Sequence, residues 1–374
     1  MIRYLGVVTS VSLGMYIHVI LFNLYLADLG LKEDAMGRYA AAMTLGTITG
    51  ALPSAALASR WGLRRVIQLA LAVLAVALAA RVSFTSPLII AAASFASGVA
   101  MAAYVATNAP AIAALASERH RAAAFSGNLA VSIGLGTLGG FLGGGLPRLL
   151  GGKQAALWFA AAVPLAGYLF LWRLRLDGAV ASRMALCGES KAFLGKFFPA
   201  VALWYAFAAG FSPYFNIYFS RLGASTEAIG FVFGATKVVQ TFTVLAMSRC
   251  ITRWGLTPAV AGVQLASAGI LMAFLPVHSF APAAILYAAF SAAEIMAAPG
   301  LQQMLMERVR PEERPTAAAC NELAVLLVHA AVAWGVGWLV AARGYQPLFV
   351  ILALTGVAAA SLFAATFGRR TTPP

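Results

Sequence analysis

Charge is scarce in this chain: only 10% of its 374 residues are Asp, Glu, Lys or Arg, against roughly 25% in an ordinary soluble domain. Twelve residues are acidic, four are His and three are Cys. So few charges exclude a water-soluble globule, which needs a polar surface. So few cysteines exclude a disulfide scaffold, and Cys187, Cys250 and Cys320 lack metal-ligand spacing; they are expected to be free thiols. Alternating polar and apolar residues are missing from runs such as "VIQLALAVLAVALAA", which excludes the strands of a membrane barrel. No loop is long enough for a contiguous basic surface with exposed aromatics, which excludes nucleic acid as a partner despite the net charge of +14.

What the chain does have is apolar length. Hydrophobic residues make up 61% of it and its mean hydropathy is +0.86. In a bilayer the backbone must satisfy its own polar groups, so a span takes about 20 mostly apolar residues as a helix. Apolar runs separated by charges or Pro and Gly predict twelve spans: 4–27, 36–58, 66–82, 87–114, 122–146, 154–172, 197–220, 228–248, 258–276, 281–305, 316–341 and 346–367. The first is too long for a signal h-region and is read as a retained helix.

Lys and Arg orient these spans. With both termini cytoplasmic, 18 fall inside and seven outside (Lys32, Arg38, Arg81, Arg148, Lys153, Arg221 and Arg343), while Lys237 lies within a span. The asymmetry predicts cytoplasmic termini. The five Lys and Arg of 173–196 make that stretch a cytoplasmic central loop between an N-terminal six-helix bundle, 1–172, and a C-terminal one, 197–374.

The chain is also internally repeated. "RWGL" occurs at Arg60–Leu63 and again 193 residues later at Arg253–Leu256. At the same offset "FNLYLADLGLKEDAMG" becomes "FNIYFSRLGASTEAIG", and Arg121 and Asn128 become Arg314 and Asn321. Three matches at one offset mark two copies of a six-helix unit. An even number of spans per copy makes them parallel repeats. The expected fold class is an all-α membrane protein of twelve transmembrane helices.

This organisation resembles the major facilitator superfamily over essentially the whole chain. "ALASRWGLRRV" is similar to that family's loop signature through Leu57, Ala58, Arg60, Gly62 and Arg64, with Ala55 for the usual Gly and Ser59 for the usual Asp. The resemblance implies a gating role for Arg60, Gly62, Arg64 and Arg65 and for their repeats Arg253 and Gly255; topology alone also accounts for the arginines. "GLGTLGGFLGGGLP" resembles the family's exporter signature through Gly136, Gly140, Gly144 and Gly145, with Phe141 in place of Pro. Glycines four apart let helices touch, so a plain packing seam is the other reading. The dinucleotide-like spacing of Gly134, Gly136 and Gly139 follows no strand and lacks the acid about 20 residues on.

Ionisable side chains inside a span are costly and mark function by default. His18, Lys237, Glu294, Glu322 and His329 qualify as proton-coupling candidates, His18 also reading as a packing residue. Lys237 and Glu294 suit either a proton switch or a static ion pair. Glu322 and His329, two turns apart, share a helix face. Asn23 and Asn216, Asn128 and Asn321, Tyr16, Trp204 and Tyr205 are substrate-cavity candidates, the asparagines suiting helix–helix hydrogen bonds as well, whereas Tyr25, Tyr214 and Tyr218 read as interfacial-belt residues. Asp28 and its repeat partner Arg221 suggest an outer gate.

These readings predict a secondary transporter working by alternating access, with proton-coupled export of a small amphipathic molecule. Proton-coupled import of a nutrient or metabolite is one alternative and a non-transporting receptor or scaffold another. No enzyme activity, cofactor or metal is expected. The expected partners are a small-molecule substrate, protons and the lipid bilayer, with the chain a monomer. Its alanine- and arginine-rich composition points to a bacterial inner membrane.

Overall fold

Twelve apolar helices run along the chain in the computed structural model, which describes residues 2–172, 174, 176 and 188–368. They are α1 Ile2–Asp28, α2 Glu33–Trp61, α3 Leu63–Ser83, α4 Pro87–Leu115, α5 Arg121–Leu150 and α6 Lys153–Leu171, then α7 Lys191–Arg221, α8 Thr226–Trp254, α9 Leu256–Met272, α10 Phe280–Arg308, α11 Arg314–Arg343 and α12 Tyr345–Phe367. Eleven are long and apolar enough to cross a membrane; α9, with 17 residues, is the short one. The chain is an integral, multi-pass membrane protein. Cys250 and Cys320 are free thiols. The expected central loop lies largely outside the described residues, as does Cys187.

Polar side chains inside the helices close their hydrogen bonds locally, as a bilayer requires. Thr9, Thr44, Thr107, Thr236 and Thr355 each donate to the carbonyl four residues back. Helix ends are set by glycine. Among the described residues only glycines adopt positive φ, at Gly30, Gly62, Gly151, Gly152, Gly223, Gly255 and Gly344. Six of these seven form pairs 193 residues apart: Gly30 with Gly223, Gly62 with Gly255, and Gly151 with Gly344. The repeat is thus written into the backbone as well as into the side chains, and the pair of Gly151 and Gly344 extends it beyond the three matched segments.

The chain divides into two compact units, one of residues 1–182 with 224–237 and the other of 183–223 with 238–374. In the first, α2 packs on α4 and α1 on α5 and α6. Its core is aliphatic, built on Val7, Val11, Leu63, Ile67, Leu71 and Leu74. In the second, α9 packs on α10 and α12 and α7 on α11 and α12. Its core is aromatic: Phe211 meets Phe274, Phe290 and Phe349 at centroid distances of 5.4, 6.1 and 5.3 Å. Edge-on rings at this spacing pack favourably beyond the area they bury.

Tyr25, Tyr214 and Tyr218 are buried, at 7%, 0% and 6% exposure, so they do not form an interfacial belt. The Tyr25 hydroxyl donates to the Val82 carbonyl at 3.0 Å, and that of Tyr214 donates to the Ala333 carbonyl. The Tyr218 ring instead joins the aromatic core, edge-on to Phe211, Phe274 and Phe349. A phenol whose hydroxyl reaches a backbone carbonyl sits as well inside a bundle as at the membrane surface. Sequence spacing does not distinguish the two.

Candidate functional site

Three helices of the second unit bring titratable groups together. Tyr205 on α7 lies within electrostatic range of both Glu322 on α11 and Glu294 on α10. The ring of His329, two turns beyond Glu322, meets Tyr205 edge-on with centroids 6.1 Å apart. On α10, one turn before Glu294, Ser291 is hydrogen-bonded to the Tyr287 hydroxyl, and Tyr287 is itself within range of Glu294. The Gln240 side-chain amide of α8 donates to the Ser291 carbonyl at 3.2 Å. Glu294 is half-buried and Glu322 exposed. Acid, phenol and imidazole therefore succeed one another over a short distance, a set that passes protons or grips a hydroxylated or charged molecule.

Trp204, next to Tyr205, points the other way. It is 2% exposed and stacks on Phe207 at 5.0 Å within the core, so of the two aromatic candidates on α7 only Tyr205 stands beside the acids. Asn216 is buried and accepts a hydrogen bond from the Ile217 N–H at 2.9 Å. Asn128 and Asn321, related by the repeat, each keep a buried Oδ1 with no hydrogen-bond partner among the described residues.

In the first unit the glycines of α5 face two ways. Gly136 and Gly139 lie against Tyr16, and Gly143 against Ile20. Gly140 and Gly144 instead face the start of α8: a methyl group on Gly140 would stand 2.6 Å from the Gly234 nitrogen, and one on Gly144 3.0 Å from the Gly230 Cα. Gly145 faces open space. Phe141, where the exporter signature has Pro, packs on Phe231 at 5.7 Å.

Gly62 and Gly255 turn the chain with φ of 82° and 85°. Arg64 donates to the Trp172 carbonyl at 3.1 Å, and Arg60, Arg65 and Arg253 are exposed. Asp28 is paired with Lys153 of its own unit at 2.8 Å, while Arg221 lies 5.5 Å over the Tyr345 ring. Lys237 stands 5.4 Å from the Phe233 ring centroid. Asn23 sits on α1, a turn beyond His18.

Two charged positions hold roles that the sequence pattern does not reveal. Glu313, ahead of α11, is 6% exposed and accepts the N–H groups of Glu189 and Ser190. Arg81, assigned by topology to an outer segment, is buried in the last turn of α3, its guanidinium carbon 3.8 Å from the Phe22 ring centroid. Its position inside the third predicted span is the available signal. Among the described residues no three His, Cys, Asp or Glu side chains gather as a metal site.

Known proteins share this fold. Residues 5–185 match the model of the Major Facilitator Superfamily. No curated protein sequence matches the chain. Among solved structures, the nucleoside transporter NupG is similar over 99% of this chain and 100% of its own, with 16% identity and a TM-score of 0.78. A D-xylose–proton symporter is similar over 97% and 96%, with 18% identity and a TM-score of 0.76. A bacterial homologue of the human lysosomal transporter Spinster is similar over 97% and 95%, with 12% identity and a TM-score of 0.80. Residues 5–185 thus match the Major Facilitator Superfamily, and the whole chain shares the twelve-helix fold of these solved transporters.

Proposed function

We propose that the chain is a secondary active transporter that works by alternating access and couples substrate movement to protons through Glu294, with Glu322, Tyr205 and His329 completing the relay. The observation that carries this reading is the approach of Tyr205 to both acids from a third helix. A carboxylate held in such a site exchanges its proton whenever the polarity or charge around it changes, as when substrate enters or leaves. Lys237 belongs to the first unit's share of α8. Export of a small amphipathic molecule is the preferred direction, supported by the likeness of the α5 glycines to an exporter signature.

A second reading, proton-coupled import of a small polar metabolite, is favoured by the hydroxyl and amide groups of Tyr205, Tyr287, Ser291 and Gln240, which suit a hydroxylated molecule. The solved structures of similar fold include a nucleoside transporter and a D-xylose–proton symporter.

Accumulation of a panel of fluorescent amphipathic compounds in an efflux-deficient bacterial host separates these readings. Export predicts lower accumulation in cells carrying the protein, abolished by Glu294→Gln and by a protonophore. Higher accumulation of a compound, abolished by the same two controls, establishes import instead. Lower accumulation that survives Glu294→Gln overturns the role given to Glu294.

A further inference from the structure

The N-terminal unit holds a buried guanidinium and imidazole in a place where the C-terminal unit holds hydrocarbon. Arg81 is 5% and His18 1% exposed. The guanidinium carbon lies 3.8 Å from the Phe22 ring centroid, and the His18 ring stacks on the same phenylalanine at 5.0 Å. The two side chains lie within electrostatic range of each other. Both His18 ring nitrogens and the Arg81 Nε lack a hydrogen-bond partner, and no ion pair forms to Arg81 among the described residues. The ion pair of Asp28 with Lys153, at the end of α1, is closed on itself at 2.8 Å.

The repeat supplies an internal control. At the offset of 193 residues His18 corresponds to Phe211 and Arg81 to Phe274, and those two rings meet at 5.4 Å. The same fold position is therefore filled by packing alone in one copy. A buried cation without a counter-charge is costly, and replacing buried charged groups by well-packed hydrocarbon is commonly neutral or stabilising. Folding does not account for Arg81 and His18.

We propose that Arg81 and His18 form a monovalent-anion site within the N-terminal unit, taking either a halide ion or the carboxylate of a small organic solute. The guanidinium supplies charge and a fork of donors, and the imidazole adds one N–H. Phe22 holds the guanidinium by its ring face. Arg81 lies two residues from the end of α3, which keeps the path to that end of the helix short.

Thermal unfolding of the purified full-length protein in detergent tests this, in sodium chloride, sodium acetate or sodium gluconate at equal ionic strength, gluconate being the bulky reference. A site predicts a saturable rise in midpoint of roughly 2–6 °C in chloride or acetate over gluconate. A rise in chloride alone assigns the halide, and one in acetate alone or in both assigns a site that admits a carboxylate. Arg81→Gln is expected to remove the rise. The double variant His18→Phe with Arg81→Phe places the second unit's residue types at these two positions and is expected to melt identically in all three salts. Equal midpoints for the wild-type protein in the three salts, or a rise that survives in the double variant, overturn the proposal.

Discussion

Glu313 fastens the start of α7 with a single carboxylate. It accepts the Glu189 and Ser190 N–H groups at 3.0 and 3.1 Å, which lie at and just ahead of the helix's N-cap, Ser190. Hydrogen bonds from the Ser190 side chain and from these backbone groups hold its titration below the usual carboxylate value of 4.5. A depressed folded-state pKa means that the stabilisation is present above the unfolded value and is lost as pH falls through the folded one. Glu313→Gln is thus expected to melt below the wild type at neutral pH, with the gap closing only below about pH 4. A gap independent of pH, measured by thermal unfolding across that range, contradicts this role. At this scale the sequence supplies residue type and helix, as for Glu294 on α10 and Glu322 on α11, but not their neighbours across the bundle. Arg81 escapes it because a cation near a span end normally reaches water, and only the fold shows that it turns inward over Phe22. Tyr25 and Tyr214 mislead for the converse reason, since their hydroxyl partners are backbone carbonyls distant in sequence.

Helix contacts and turns depend on glycine in two distinct ways. Where α5 meets the start of α8, added carbon collides with backbone, which has no rotamer to escape into. Gly140→Ala and Gly230→Ala are each expected to cost about 1–3 kcal/mol, whereas Gly145→Ala, facing open space, is expected to be neutral or to stabilise by up to about 1 kcal/mol through helix propensity. Urea or thermal unfolding of the three variants checks the contrast. At Gly62 and Gly255 the constraint is backbone conformation, with φ and ψ of 82° and 153° and of 85° and 161°. That region is essentially restricted to glycine and costs other residues of order 1–3 kcal/mol. Alanine at either position is expected to destabilise by a similar amount, in keeping with the repeat; very different losses measured for the two break the equivalence. The doubled "RWGL" makes these turns legible from the amino-acid order alone. The partner of the α5 glycines is not, because spacing along one helix shows that a close contact exists but not with which helix.

The whole molecule is the most legible level, because a bilayer admits few architectures. Hydropathy and charge predict twelve helices, and the described residues form twelve apolar helices in the expected order, with α9 shorter than the span foreseen at 258–276. That helix ends at Met272, where Ala273, Phe274 and Leu275 donate in succession to the Ile270, Leu271 and Met272 carbonyls in tight turns. The positive-inside reading makes a further prediction: cysteine placed at Arg60 is expected to react with a membrane-impermeant maleimide only from the cytoplasmic side, and cysteine at Lys153 only from the opposite side. The reverse pattern inverts the topology.

Coupling of substrate movement to protons through Glu294 is tested most directly by reconstitution into liposomes containing a pH-sensitive dye. Each compound that scores in the cellular panel is added and proton flux across the membrane recorded. A transported compound is expected to drive proton movement in the wild type, and Glu294→Gln to bind or move the compound without proton flux. Compound-driven proton flux of wild-type size in Glu294→Gln contradicts the coupling role.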